Sequence, residues 1–293
     1  MPKHQIQNLY SNIKANNNNT KKITDTGAKT KIPAPVKKQP AVPHNKPKPK
    51  DINAGITMLN IDELKNLLES YKVSFPDSHL VWLKGISSFL NSNINIETDP
   101  TFHGKSPNFP SNIVPVQLKT IIYETLTNAG IVNIQYFYDQ TLTAMAVDLS
   151  KGQHVVGHKI ILQLIGQKWP YVCSSSLAKN VILLHSYQNQ SSIGLSLCWA
   201  LGQGGYKDLS VGLRVWKDIM NRLVEMRAYS KFITDYIINI LNKSDFDGSN
   251  HNFSHEDFFI ILEEMMSSRY VQHNVKKTLN ETAASLVVVS FEI

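Results

Sequence analysis

The chain has 293 residues, of which 42% are apolar, so it can form a substantial buried core. Residues 1–50 contain eleven lysines and one acid and carry +10, against +7 for the whole chain. Residues 51–293 therefore carry −3, which argues against a nucleic-acid-binding face on the folded part. With only two cysteines, a disulfide-rich secreted scaffold is excluded.

Residues 1–55 form a Lys-, Pro- and Asn-rich tail that is predicted to be disordered. Seven of the 13 prolines lie here, together with an asparagine tract at Asn16–Asn19. Such a segment buries too little apolar surface to offset the entropy that it would lose on ordering. Its charge could attract RNA or anionic lipid in a salt-dependent way. It lacks the arginines and interleaved aromatic residues of base-stacking segments.

Residues 56–285 are predicted to form an α-helical domain, because apolar residues recur there at helical spacing. Asn60 is expected to cap a helix, and Pro115 and Gly130 are expected to begin and end another. The clearest stripe runs through Ile134, Tyr138, Leu142, Met145 and Leu149. The run that follows, from Val156 to Ile165, is apolar on nearly every side and should be buried.

A helical hairpin is predicted at Leu197–Met220. Gly204 and Gly205 stand where a left-handed C-cap would end the first helix, and Asp208 can cap the second. The second helix has one apolar stripe, formed by Leu209, Leu213, Trp216, Met220 and Leu223.

About ten helices with short connections predict an all-α fold. The two architectures that fit are an α-solenoid of the armadillo or HEAT kind and an irregular helical bundle. The sequence shows no clear repeat period that would decide between them.

No transmembrane helix is expected in the sequence as given. The longest stretch without a charged residue is Asn180–Tyr206, 27 residues, and the polar turn His185–Ser192 interrupts it. The apolar run Leu286–Phe291 is too short to cross a bilayer.

Two loops resemble ligand-binding motifs. The glycines at 202–205 lack the preceding strand and the third glycine of a dinucleotide loop, so helix capping is the better interpretation. Residues 245–256 place Asp245, Asp247, Ser249 and Glu256 at calcium-ligand positions, but Asn250 replaces the required glycine. We therefore favour a role for Ser254 as the cap of a helix over Phe258–Met265.

The cysteines and histidines give no recognisable catalytic or metal-ligand spacing. Cys173 and Cys198 lie on apolar segments, so buried structural thiols are favoured over a thiol nucleophile. His154 and His158 are four residues apart without a third ligand, and His185 is tied to neither thiol by spacing. No cofactor and no small-molecule substrate are predicted.

The hairpin resembles the transmembrane protein 214 family, in which a Trp-Ala-Leu-Gly-Gln-(small)-Gly-aromatic run precedes a Gly-Leu-(basic)-Val-Trp helix. Further matches follow the family's order at 79–91, 108–122, 136–149 and 256–265, so the resemblance covers about residues 60–280. We call nine matching positions the signature residues and expect them to be structural: Trp82, Trp199, Gly202, Gln203, Gly205, Tyr206, Gly212, Arg214 and Trp216.

The resemblance implies a noncatalytic scaffold with a large cytosolic helical region at the endoplasmic reticulum membrane. It also implies a part in stress-induced apoptosis through recruitment of a procaspase. No catalytic residue is carried over. In that family the membrane segments lie beyond the matching region, so this chain is expected either to be a fragment or short isoform or to be held at the membrane by something else. The alternative is a soluble helical-repeat protein that binds RNA or anionic lipid through residues 1–55.

Overall fold

The computed structural model describes residues 51–94, 96, 102 and 104–243, together with 259, 260, 263, 277, 280 and 281. Within this part of the chain every regular element is helical, which confirms the all-α prediction. The predicted calcium loop and most of the N-terminal tail lie outside the described residues. Of the predicted helix over Phe258–Met265, residues 259, 260 and 263 are described, and they are helical.

Three helices begin the described part: α1 (Ile52–Thr57), α2 (Ile61–Ser74) and α3 (His79–Asn93). The side chain of Asp51 accepts the backbone N–H of Ala54 at 2.7 Å, so α1 begins before the predicted boundary at residue 55. Asn60 accepts the backbone N–H groups of Asp62 and Glu63, both at 3.2 Å, which confirms the predicted cap of α2.

The next helices are α4 (Val116–Ala129), α5 (Ile131–Ser150) and α6 (Val156–Lys168). Gly130 joins α4 to α5 with a φ of +76°, a conformation that other residues rarely adopt, and this confirms the predicted stop. Helix α6 is buried over Val156–Gly166, as the apolar run predicts, and it packs against α3, α5 and α8.

The last four helices are α7 (Leu177–Tyr187), α8 (Ser191–Gly202), α9 (Leu209–Val215) and α10 (Arg227–Lys243). A 3-10 turn at Gln203–Tyr206 connects α8 to α9, and α9 continues into a π-helical turn at Trp216–Met220. The predicted stripe from Leu209 to Leu223 is buried along its whole length. One continuous apolar core joins these helices.

Candidate functional site

A cleft of about 1030 Å³, most of whose lining residues are polar, opens between α3, α5 and the start of α6. We call it the α3–α5 cleft. Serine, threonine, amide and basic side chains dominate its walls, and Asp148 is its only acidic lining residue. Lys179 of α7 also lines the cleft. Its Nζ forms an ion pair with Oδ2 of Asp139 of α5 at 3.3 Å. The cleft is thus a concave surface of the size that ligand sites commonly have.

Three side chains in this cleft form a hydrogen-bonded series. The Oγ of Ser87 lies 2.7 Å from Nδ1 of His158, and Nε2 of His158 lies 3.2 Å from Oδ2 of Asp148. Ser87 and His158 are 4% and 8% exposed, so both are largely withdrawn from bulk water. The series links α3, α5 and α6 through one imidazole ring.

The geometry of this series depends on close contact between α3 and the N-terminus of α6. Oδ1 of Asn91 accepts the backbone N–H of His158 at 3.0 Å and so satisfies one of the free donors of α6. A Cβ at Gly157 would collide with the backbone N and Oδ1 of Asn91, so glycine is needed for this approach. These contacts hold the imidazole of His158 beside Ser87.

Sequence reasoning did not find this site. Ser87 and His158 are 71 residues apart, and no motif spacing connects them. His154 also lines the cleft, but among the described residues no three His, Cys, Asp or Glu side chains come close enough to hold a metal ion. His185 lies at the end of α7 and is not part of the cleft.

Seven of the signature residues lie around the α8–α9 hairpin and contact the core, and three of them, Trp199, Gln203 and Tyr206, also line a small cleft of about 360 Å³. Trp199 packs edge-on against Phe102 with ring centroids 5.1 Å apart, and Trp216 is fully buried. Tyr206 packs edge-on against Tyr236 at 5.6 Å. Arg214, on the same hairpin, is exposed.

Trp82, the remaining signature residue, lies apart from the hairpin on α3. It is 8% exposed, and its indole N–H donates to the carbonyl of Phe75 at 2.9 Å. This bond ties α3 to the end of α2.

The predicted left-handed cap at Gly204 and Gly205 is wrong. The positive φ values among the described glycines are at Gly104, Gly130 and Gly152, whereas Gly204 and Gly205 belong to the 3-10 turn. Glycine is required at these two positions because neighbouring atoms leave no room for a Cβ. A Cβ at Gly205 would collide with Oη of Tyr236 and come within 2.6 Å of Cα of Gly212.

Side chains cap the C-terminus of α8 instead. Nε2 of Gln203 donates a hydrogen bond to the carbonyl of Trp199 at 3.0 Å, and Oη of Tyr138 donates one to the carbonyl of Ala200 at 3.0 Å. The carbonyl of Gly202 accepts Oη of Tyr236 at 3.1 Å. Donors from α5, α10 and the 3-10 turn thereby satisfy carbonyls that the end of a helix leaves open.

A buried amide cluster connects the hairpin to the loop before α4. Nε2 of Gln163 donates to Oε1 of Gln203 at 2.9 Å and to the carbonyls of Pro107 and Phe109 at 3.0 Å each. Oε1 of Gln163 accepts the backbone N–H of Ser111 at 2.8 Å. Gln163 is fully buried. Its amide therefore supplies the hydrogen bonds that water would otherwise make to polar groups of the loop before α4 and to Gln203.

Both cysteines are buried and reduced, as the sequence predicts. Burial raises the pKa of the Cys173 thiol to about 11 and that of the Cys198 thiol to about 12. A nucleophilic thiol needs the opposite shift, so these environments favour structural roles.

We expect iodoacetamide at pH 8 to leave both thiols of the folded protein unmodified, because neither Cys173 nor Cys198 is ionised or accessible. Intact mass measured before and after alkylation checks this. Denatured protein is the control and should gain two adducts. Rapid modification of either thiol in the folded protein would contradict the assignment.

Alkaline pH should destabilise the protein, because burial raises the pKa of both thiols. Below pH 9 the thiols of Cys173 and Cys198 are protonated in both the folded and the unfolded chain. Between pH 9 and about 11 the unfolded chain loses these protons while the folded chain keeps them, so the free energy of unfolding falls. Urea midpoints measured across this range test the sign. The double variant Cys173→Ala, Cys198→Ala should show a weaker decline.

No helix in the described part of the chain combines the length and the apolar character that crossing a bilayer requires.

Comparison with known proteins places these features in a family context. A family model described as "TMEM214, C-terminal, caspase 4 activator" matches residues 1–293. Transmembrane protein 214 of Mus musculus is 30% identical over 239 residues, which cover 75% of this chain and 34% of that protein. The Bos taurus protein is 30% identical over 195 residues, with coverages of 66% and 28%.

Transmembrane protein 214 of Homo sapiens is 28% identical over 232 residues, which cover 73% of this chain and 33% of that protein. The chain therefore spans about a third of the length of these curated relatives. No solved structure matches it.

Proposed function

This chain belongs to the TMEM214 family, and on that premise we propose that it acts as a helical scaffold that binds a caspase proenzyme. The observation that carries this proposal is the match of a family model named for caspase 4 activation across residues 1–293. Binding several proenzymes close together raises their effective concentration and promotes their mutual activation. This chain performs no chemistry in that step.

The proposed setting is the cytosolic face of the endoplasmic reticulum membrane during stress-induced apoptosis. The names of the curated relatives support membrane association. Carbonate extraction of the endogenous protein tests this setting. Retention in the membrane pellet supports it, and complete release of the protein to the supernatant contradicts it.

The N-terminal part of α5 offers a surface for the proenzyme. Val132 and Tyr136 lie one turn apart and are 78% and 51% exposed, so both present apolar surface to solvent. Exposed apolar side chains of this kind are suited to contact with a protein partner. Because they lie outside the core, they can be replaced without opening a cavity.

Co-precipitation of the full chain with a catalytically inactive caspase 4 proenzyme tests the scaffold function. The wild-type chain should bind, and the double variant Val132→Glu, Tyr136→Glu should bind about tenfold more weakly. Val73→Glu is the matched control, because Val73 is 82% exposed on α2, away from α5. Absence of binding by the wild-type chain would contradict the scaffold function. Equal binding by both variants would exclude only this surface.

A second candidate function is binding of RNA or anionic lipid through residues 1–55. The charge of +10 on residues 1–50 favours it. Affinity should fall steeply with salt and disappear when residues 1–55 are deleted. Equal affinity of the deletion variant and the full chain would reject this function.

A further inference from the structure

We infer that the α3–α5 cleft is a hydrolytic site in which Ser87 is the nucleophile toward a small polar ester. This activity is independent of the scaffold function, because it needs no protein partner. It rests on the series Ser87–His158–Asp148 and on the position of that series in the wall of the α3–α5 cleft.

The hydrogen bonds assign a role to each member of the series. When the hydroxyl of Ser87 donates to Nδ1 of His158, the ring proton resides on Nε2 and donates to Asp148. His158 is then a general base in contact with the nucleophile, and Asp148 orients the ring and stabilises its protonated form. The two ring nitrogens have the opposite roles from those in chymotrypsin-like proteases. The chemistry requires only that one nitrogen accept and the other donate.

Donors for the developing oxyanion lie on the same face of α3. Lys84, Ser87 and Asn91 are spaced by three and four residues, and all three line the cleft. Because Oδ1 of Asn91 accepts the N–H of His158, the amide nitrogen of Asn91 is left as a donor one turn along α3 from Ser87. The ammonium of Lys84 is exposed at the next turn and adds positive charge.

The reaction balances as an ordinary ester hydrolysis. The Oγ of Ser87 attacks the carbonyl carbon, and its proton passes to Nδ1 of His158. The bond from the carbonyl carbon to the alcohol oxygen then breaks, and the alcohol leaves with that proton. Water attacks the acyl-serine and gives a proton to Nδ1, which returns it to Ser87 as the acid leaves.

The lining residues indicate the class of substrate. Ser88, Ser92, Thr141 and Thr143 contribute hydroxyl groups, and Lys179 contributes a cation at the rim. A volume of about 1030 Å³ accepts a compact polar ester.

Labelling of the folded full chain with a fluorophosphonate, followed by peptide mass spectrometry, tests the proposal. A covalent adduct is expected on Ser87. Ser88 and Ser92 are internal controls, because they line the same cleft on the same helix without a histidine partner among the described residues. His158→Gln and Asp148→Asn should slow labelling by about 100-fold, and Ser70→Ala, on α2 outside the cleft, should leave the rate unchanged.

Two outcomes overturn the proposal: no adduct on Ser87 of the folded chain, or an equal labelling rate in Asp148→Asn. Asp148 is the decisive position, because its side chain is 26% exposed and its replacement by asparagine preserves shape. Circular dichroism confirms that each variant is folded before labelling. Loss of proenzyme binding would leave this result unaffected, so the two functions fail separately.

Discussion

Replacing Gln163 with leucine is expected to lower the free energy of unfolding by about 4 kcal/mol. Leucine has a similar volume but removes the four hydrogen bonds of the buried amide. The backbone N–H of Ser111 and Oε1 of Gln203 would lose this partner at buried positions, and the carbonyls of Pro107 and Phe109 would lose it at half-buried ones. Urea unfolding followed by tryptophan fluorescence measures the change.

Gln167→Leu is the matched control for Gln163→Leu. Gln167 lies one turn further along α6, is half-buried, and accepts a single bond from Oγ of Ser111 at 3.1 Å. Its replacement should cost about 1 kcal/mol. Equal losses in the two variants would mean that the amide cluster does not stabilise the loop before α4.

Gly205→Ala should destabilise the protein by about 3 kcal/mol. The added methyl group meets Oη of Tyr236 and the backbone at Cα of Gly212, which lies 2.6 Å from the Cβ position. Because one of these contacts is backbone, the 3-10 turn and α9 must move apart, and the core around Tyr236 opens with them. The midpoint of urea unfolding should fall while its slope is unchanged.

Lys207→Ala is the control for Gly205→Ala. It tests whether any substitution near the connection between α8 and α9 destabilises the protein, or only one that adds a methyl group at the packed position 205. Lys207 is exposed two residues later, so its loss should change the free energy of unfolding by less than about 0.5 kcal/mol. A Gly205→Ala variant as stable as Lys207→Ala would show that the helices separate at little cost.

Local sequence signals predicted the helix termini well. Asn60 and Asp208 cap their helices through the side-chain bonds that their residue types allow, and Gly130 adopts the positive φ expected of a stop. Each of these features depends on neighbours within a few residues, so the sequence contains the whole interaction.

Packing over long sequence separations could not be predicted in the same way. Gly204 and Gly205 look like a cap in sequence, but Tyr236 and Gly212 determine the need for glycine there. The contact between Ser87 and His158 depends on the packing of α3 against α6. Helical periodicity predicts which face is buried without specifying which helix covers it.

The side-chain cap of α8 has a consequence for the order of folding. Tyr138 lies 62 residues before its acceptor Ala200, and Tyr236 lies 34 residues after Gly202. These bonds require closure of long loops, so α8 is completed only after α5 and α10 have docked. Substitutions at Tyr138 or Tyr236 should therefore accelerate unfolding more than they slow folding. The end of the helix that carries much of the family resemblance is thus held by partners distant in the chain.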